Sequence, residues 1–503
     1  MSKVGRNILY NLGGQLMLLG LSFASTRLIY RDLGKDVLGV IYFVMMLNSA
    51  LAAVLEIGLG ATAIKEIAAH IERERAYVYR LIQTGAFYFW AAFVVIALAQ
   101  FFLAPWIAQH WLELDNISVA EATLMLQVLG PMVFLAFPKT YYTCVFRGLQ
   151  RMGINNVLDV SFMALQQLGV VLLIASGERL YPVVLWIALT YVFRVSAYAL
   201  VLGRVVSWRV LVPRYHSDVV RRNASFVGQM SGMMIFATAQ SQGDKLVISK
   251  LLPIAEMGWY SFAYALVGKG ETITNAVSSA LFPRLSELSK QPEALYAAYR
   301  PVQALMVFGL LPIFTALPFV APTLFTLVLD QEAALALALP TAILSLCFYM
   351  KGTVVLPHFL GLAVERPDIA LRQAFYAFVF IFPLTITLIA YIGMTGAALG
   401  WLLYQCFAYA YSARRVYREC LKLPARHFYI QVAHGLGLAL LTYGLAYAFL
   451  VVNEVSALYL WALAYTLASI AYALALWTSG GEEVRQQIRS VVVPALRRIK
   501  AMR

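Results

Sequence analysis

Apolar runs follow one another along this chain with only short polar breaks. Each is near the roughly 20 residues that a helix needs to cross a bilayer's hydrocarbon core. Read as helices, they fall at about 8 to 29, 38 to 60, 81 to 109, 119 to 146, 156 to 175, 181 to 203, 223 to 251, 256 to 282, 301 to 329, 333 to 360, 367 to 390, 395 to 412, 428 to 451 and 456 to 478, 14 in all. Alternating strand patterns are absent, which argues against a β-barrel. The first run follows Lys3 and Arg6, is longer than a signal-peptide core and precedes no small-residue cleavage site, so it is expected to be a transmembrane helix. No loop is long enough for a soluble domain, which places the chemistry inside the bilayer or at its rims.

Composition agrees: of 503 residues 61% are hydrophobic and 13% charged, with a mean hydropathy of +0.75, outside the balance of a soluble domain. A net charge of +14 raises the question of nucleic acid, and its distribution answers it. With the N-terminus inside, the inner segments carry 28 of the 39 Lys and Arg, and the outer loops carry Arg27, Arg31, Lys35 and Arg179. That asymmetry is the positive-inside signature. It predicts a multi-pass membrane protein with both termini cytoplasmic, and no nucleic-acid partner.

Cys144, Cys347, Cys406 and Cys420 show no CxxC or Cys/His spacing, so neither a disulfide framework nor a metal site is expected. No Ser/His/Asp set, HExxH, GxxxxGK[ST] or loop DxD is present. The expectation is no catalytic residue, no cofactor and no ATP hydrolysis.

After helix six the chain resembles a second beginning. Gln15, Arg27 and Gly39 of DLGKDVLGVIY are echoed by Gln229, Lys245 and Gly258 of KLLPIAEMGWY. Two six-helix lobes of parallel orientation are one of the repeat plans of transporters. The expected division is 1–212 and 213–422 as the lobes, 423–479 as two added helices, and 480–503 as a basic amphipathic tail.

The informative residues are charges inside apolar runs. Arg194, Lys269 with Glu271, and Lys351 fall near helix centres, where a Lys or Arg costs about 2.5 to 3.5 kcal/mol on insertion scales. Such groups face a bundle interior or water, and by default mark a pathway. Each has a structural alternative: Lys269 paired with Glu271 or with a carboxylate on a neighbouring helix, Lys351 reaching out from a helix broken near Gly352 and Pro357, Arg194 in an interhelical contact beside Tyr191 and Tyr198. Asp159 and Arg372 fit the inner boundary better. Glu56, just before GLG, is a proton or cation site or a packed, partnered carboxylate. Cations outnumber anions, which suits phosphate; a carrier of cationic drugs is expected to show the reverse.

In helix seven, Ser231, Thr238, Gln242, Lys245 and Ser249 form a polar stripe, either facing a water-filled cavity or forming a helix seam. Lys245 falls near the outer end, as Arg27 does on helix one. The pair reads as a basic outer mouth, with Asp244 as an ion-pair latch.

Several segments together resemble the polysaccharide transporters, or oligosaccharide-lipid flippases, of the multidrug/oligosaccharidyl-lipid/polysaccharide exporter superfamily: GRNILYNLGGQ, DLGKDVLGV, LEIGLGATAIKEIA, CVFRGLQRMGINNVLDV, and GDKLVISKLLPIAEMGWYSFAYAL running on to LFPRLSEL. The resemblance implies an all-α fold of about 14 transmembrane helices, two six-helix lobes around a central cavity plus two C-terminal helices. It also implies alternating access that carries an undecaprenyl-diphosphate-linked oligosaccharide, such as an O-antigen repeat unit, to the outer leaflet. By helix position the diphosphate falls to Arg27 and Lys269, with Lys245, Arg194 and Lys351 next, and Asp244, Glu56 and Glu271 as coupling or gating groups. Energy comes from a proton or sodium gradient or from consumption of the product. The implied partners are the lipid-linked substrate, membrane lipids and other polysaccharide-assembly proteins. Rival readings are a cation or drug antiporter on the same fold and a membrane polysaccharide polymerase or ligase.

Overall fold

The computed structural model describes residues 17–55, 59–453, 455 and 457–479, without the side chains of 54–55 and 225–237. The described secondary structure is helical throughout. It runs through α1 (residues 17–33, ending in a π turn), α2 (Lys35–Leu55), α3 (Ala61–His70), α4 (Arg75–Trp106), α5 (Val119–Val133), α6 (Ala136–Gly148), α7 (Met152–Ala175), α8 (Leu180–Val205) and α9 (Ser217–Leu251). It continues through α10 (Ile254–Gly268), α11 (Glu271–Glu287), α12 (Pro292–Val328), α13 (Gln331–Ala363), α14 (Asp368–Tyr376), α15 (Phe382–Ala408), α16 (Arg426–Ala439), α17 (Leu445–Val452) and α18 (Leu458–Ser479).

Among the described residues, ten helical stretches are long and apolar enough to cross a membrane. One of them, Asp368–Cys420, reverses inside α15, where Ile392 leaves helical geometry and Gly393 takes φ 58°, ψ −138°. A residue with a side chain is strained in that conformation. Past the turn the two arms lie so close that a Cβ on Gly396 would sit 2.2 Å from the Leu388 carbonyl oxygen. The stretch thus makes two crossings. With α1, the polar α9 and the broken α10–α11 pair, each apolar run of the sequence carries a helix within its described residues. Two of the expected helices are broken among the described residues: the fourth into α5 and α6, and the eighth into α10 and α11.

The chain divides into two compact units, one up to Ser261 and one from Phe262. This division reflects packing, whereas the expected 212/213 boundary rests on internal repetition. In the first unit, Tyr77, Phe89, Tyr141, Tyr142, Phe146 and Tyr198 form an aromatic core of α4, α6 and α8. Tyr141 stacks on Phe89 at 5.0 Å and donates to the Leu81 carbonyl at 3.0 Å. Gly39 of α2 and Gly258 of α10, the paired glycines of the repeat pattern, pack against each other here. A Cβ on Gly39 would lie 2.2 Å from the Ile254 carbonyl oxygen, and one on Gly258 would lie 2.9 Å from the Gly39 Cα.

In the second unit, prolines free carbonyls inside apolar helices, and neighbouring side chains recover them. Pro312 leaves the Phe308 carbonyl without its helical donor, and Tyr472 of α18 donates to it at 3.0 Å. Pro357 does the same to Thr353, whose carbonyl accepts from Gln303 at 2.9 Å. The helix expected to break near Gly352 and Pro357 therefore continues to Ala363.

Candidate functional site

In the first unit, Arg194 is part of an ion cluster on three helices. Asp159 of α7 accepts from Arg194 of α8 at 2.6 Å and from Tyr198 at 2.9 Å, and Lys139 of α6 lies 2.9 Å from the same carboxylate oxygen. The Lys139 side chain is 14% exposed, that of Arg194 22% and that of Asp159 32%. Asp159 holds two cations, which leaves these three residues one positive charge in excess. Lys139 was not singled out above, although a lysine inside the apolar run LAFPKTYY carried the same signal as Arg194.

The GDKLVISK segment is turned into its unit. Asp244 accepts from Tyr260 at 3.0 Å and faces Lys245 at 3.8 Å, and both side chains are buried. Lys245 also donates to the Ser241 carbonyl at 3.4 Å. Thr238 and Ser249 are buried too, and Ser249 accepts from Trp111 at 3.1 Å. Thr238, Lys245 and Ser249 of the polar stripe are thus packed as a helix seam, with Gln242 half-buried beside them. The stripe's Ser231 belongs to the undescribed side chains, and Glu56 and the tail 480–503 lie outside the described residues.

Arg27 is half-buried on α1 and has no ion pair or hydrogen bond among the described residues. Nearby, Asp36 at the start of α2 is fully buried and accepts from the backbone amides of Asp115 and Asn116 at 2.7 and 2.6 Å. That carboxylate pins the α4–α5 connection, a role the sequence did not signal.

In the second unit, Lys269 and Gly270 form the break between α10 and α11, held by bonds of the tighter i to i+3 type. Position 270 must be small, because a Cβ there would meet the Phe314 ring at 2.6 Å. Lys269 is exposed and has no carboxylate partner among the described residues. Glu271 does not pair with it. Lys351 of α13 takes Glu271 instead, at 2.5 Å, with side-chain exposures of 33% and 25%. The Lys351 ammonium lies 5.4 Å from the Phe348 ring and 5.7 Å from the Trp401 ring, within reach of their faces. Tyr264 closes the cluster, 5.1 Å from Phe348.

These features define a polytopic helical protein in which most of the charges described inside apolar helices are compensated. The chain belongs to the family described as polysaccharide biosynthesis protein, which it matches over residues 4–289. A Shigella flexneri protein named "Putative O-antigen transporter" is 20% identical over 302 residues, spanning 56% of this chain and 66% of that relative's length. Among solved structures, the lipid II flippase MurJ in an inward closed conformation superposes with TM-score 0.73 at 11% identity, over 94% of this chain and 98% of MurJ. An inward-facing multidrug transporter of the MATE family, within the MOP superfamily, gives TM-score 0.62 at 13% identity, over 79% of this chain and 94% of that one. The chain thus shares the fold of these two solved structures, and it is a multi-pass membrane protein.

Proposed function

We propose that the protein is a flippase of the bacterial cytoplasmic membrane that moves an undecaprenyl-diphosphate-linked oligosaccharide, an O-antigen or related repeat unit, from the inner to the outer leaflet by alternating access. The observation that carries the site assignment is the state of the intramembrane cations. Arg194, Lys245 and Lys351 each face a carboxylate. Arg27 and Lys269 have none among the described residues. Unneutralised guanidinium and ammonium groups in a low-dielectric setting bind phosphate oxygens by charge-assisted hydrogen bonds. Arg27 and Lys269 then hold the diphosphate, while Glu271 and Asp244 keep neighbouring cations neutral until the carrier changes state. The family and the MurJ-like fold support transport over catalysis.

The test is complementation of a flippase-null strain. Arg27→Ala and Lys269→Ala proteins that reach the membrane are expected to restore little surface polysaccharide, while Arg27→Lys and Lys269→Arg restore part of it. Full restoration by the alanine variants overturns the site assignment. A cation or drug antiporter on the same fold is the second reading, favoured by the buried Asp244. It requires drug export that is lost in Asp244→Asn with surface polysaccharide unaffected. A polymerase or ligase is distinguished by the location of the lipid-linked unit in a deletion strain. Flipping predicts accumulation on the inner leaflet, and polymerisation or ligation on the outer.

A further inference from the structure

Where the reversed span Asp368–Cys420 ends and α16 begins, six cationic residues fall within 14 positions of the chain, at 414, 415, 418, 422, 426 and 427 if His427 is counted. They divide by surroundings. Arg415 bonds Glu419 at 3.3 Å, as does Arg366 at 2.5 Å, and Arg366 also bonds Asp368 at 2.7 Å. Asp368 and then Glu419 hold the Arg366 guanidinium above its ordinary pKa. Arg414, Arg418, Lys422 and Arg426 have no carboxylate within ion-pair distance among the described residues, and all four are exposed.

Those four line one cleft of about 1020 Å³, and no acidic residue among the described residues contributes to its wall. The rest of the lining is mostly apolar, with Ile430 and Ala433 rising along α16 and Ala410 along the opposite helix. Two π turns, Tyr409–Ala413 and Val416–Cys420, interrupt that helix, and Lys422 closes the turn in the left-handed conformation at φ 57°. Such interruptions recur at functional sites. A charged floor beneath an apolar wall, at the end of one membrane span and the start of the next, matches a molecule with an anionic head and a hydrocarbon tail. A free anion uses the floor only.

We infer that this cleft between the end of the reversed span and α16 binds the phosphate headgroup of an anionic phospholipid, with an acyl chain along Ile430 and Ala433. The site is separate from Arg27 and Lys269, and the inference stands whatever the carrier transports. A phospholipid bound there bridges two successive spans at the headgroup level and so ties local lipid charge to their spacing.

The test uses the full purified chain in detergent, with binding of phosphatidylglycerol and phosphatidylcholine measured by native mass spectrometry. The wild type is expected to favour phosphatidylglycerol. At about 1 kcal/mol per basic residue near a lipid headgroup, Arg414→Gln/Arg418→Gln weakens phosphatidylglycerol roughly thirtyfold. Arg414→Lys/Arg418→Lys stays near the wild type, and the control Arg73→Gln/Arg75→Gln, in the other unit, leaves binding unchanged. If the double glutamine variant does not fold, Lys422→Gln alone gives a roughly fivefold loss on the same scale. Equal binding of the two lipids by the wild type overturns the inference, as does undiminished binding by the glutamine variants. Inorganic phosphate competing as well as the lipid replaces a lipid site with a bare anion site. A polyprenyl diphosphate competing better than phosphatidylglycerol assigns the cleft to the carrier's substrate instead.

Discussion

Asp159→Asn is the most informative single change, because one carboxylate oxygen serves both Arg194 and Lys139. The two bonds, 2.6 and 2.9 Å, keep the cationic nitrogens no more than about 5.5 Å apart, where like charges repel by about 3 kcal/mol at an effective dielectric near 20. Partial exposure of all three side chains lowers that to about 1 to 2 kcal/mol. Removing the anion also strands two partly buried cations; for a fully buried pair that costs about 3 to 5 kcal/mol, and about 2 to 3 kcal/mol is expected here. Lys139→Gln alone leaves Asp159 and Arg194 as a neutral pair and costs under about 1 kcal/mol. In the Asp159→Asn background the same change removes the repulsion and stabilises by about 1 kcal/mol or more. The effect of Lys139→Gln therefore changes sign with its background. Thermal melting in detergent, read by the folded fraction on size exclusion, is expected to rank wild type first, then Lys139→Gln, then the double variant, then Asp159→Asn. Asp159→Asn melting with the wild type, or Lys139→Gln lowering it further, would refute the cluster as the source of stability.

The Glu271–Lys351 pair should behave as a coupled unit: Glu271→Gln and Lys351→Met together are expected to cost less in melting temperature than the sum of the singles, and strict additivity would dissolve the pair. Gly393→Ala should destabilise by about 1 to 3 kcal/mol, since its conformation is close to glycine-only; unchanged melting would argue against the reversal at that residue. Gly39→Val places side-chain atoms into the Ile254 backbone, and a sharp loss of folded protein is expected in membrane extracts, with Gly20→Ala, which meets no neighbour, as the control.

The membrane crossings were legible because lipid leaves backbone groups no partner outside the helix, so length and hydropathy decide almost everything. Breaks at 269–270 and 134–135 were not, since both sides of each break are apolar and hydropathy is blind to a change of direction. Neither partner open to Lys269 in the sequence, Glu271 or a carboxylate on a neighbouring helix, is found among the described residues. Glu271 is two positions from Lys269, and residues so spaced on a helix do not face each other, which is why Lys351, 80 residues away, takes the carboxylate. The glycine echo at 39 and 258 was visible as spacing, but that the two glycines touch is a fact of packing that no spacing contains. Arg27 and Lys269 stood out in the sequence by position, and the structure adds that neighbouring cations are compensated while these lack carboxylates among the described residues.

The order of the charges in the Asp159 cluster also bears on how the chain enters the membrane. Lys139, Asp159 and Arg194 sit on α6, α7 and α8, which leave the insertion machinery in that sequence. Each charge alone is expensive in lipid, but Lys139 meets its carboxylate as soon as the next helix arrives, and Arg194 then finds an anion already in place. Glu271 has no such arrangement, because all of α12 must insert before Lys351 emerges. During synthesis the first cluster can assemble as it is made, while the second carries an unmatched carboxylate through a full membrane span, which makes α10 to α13 the stretch where insertion depends most on a waiting partner.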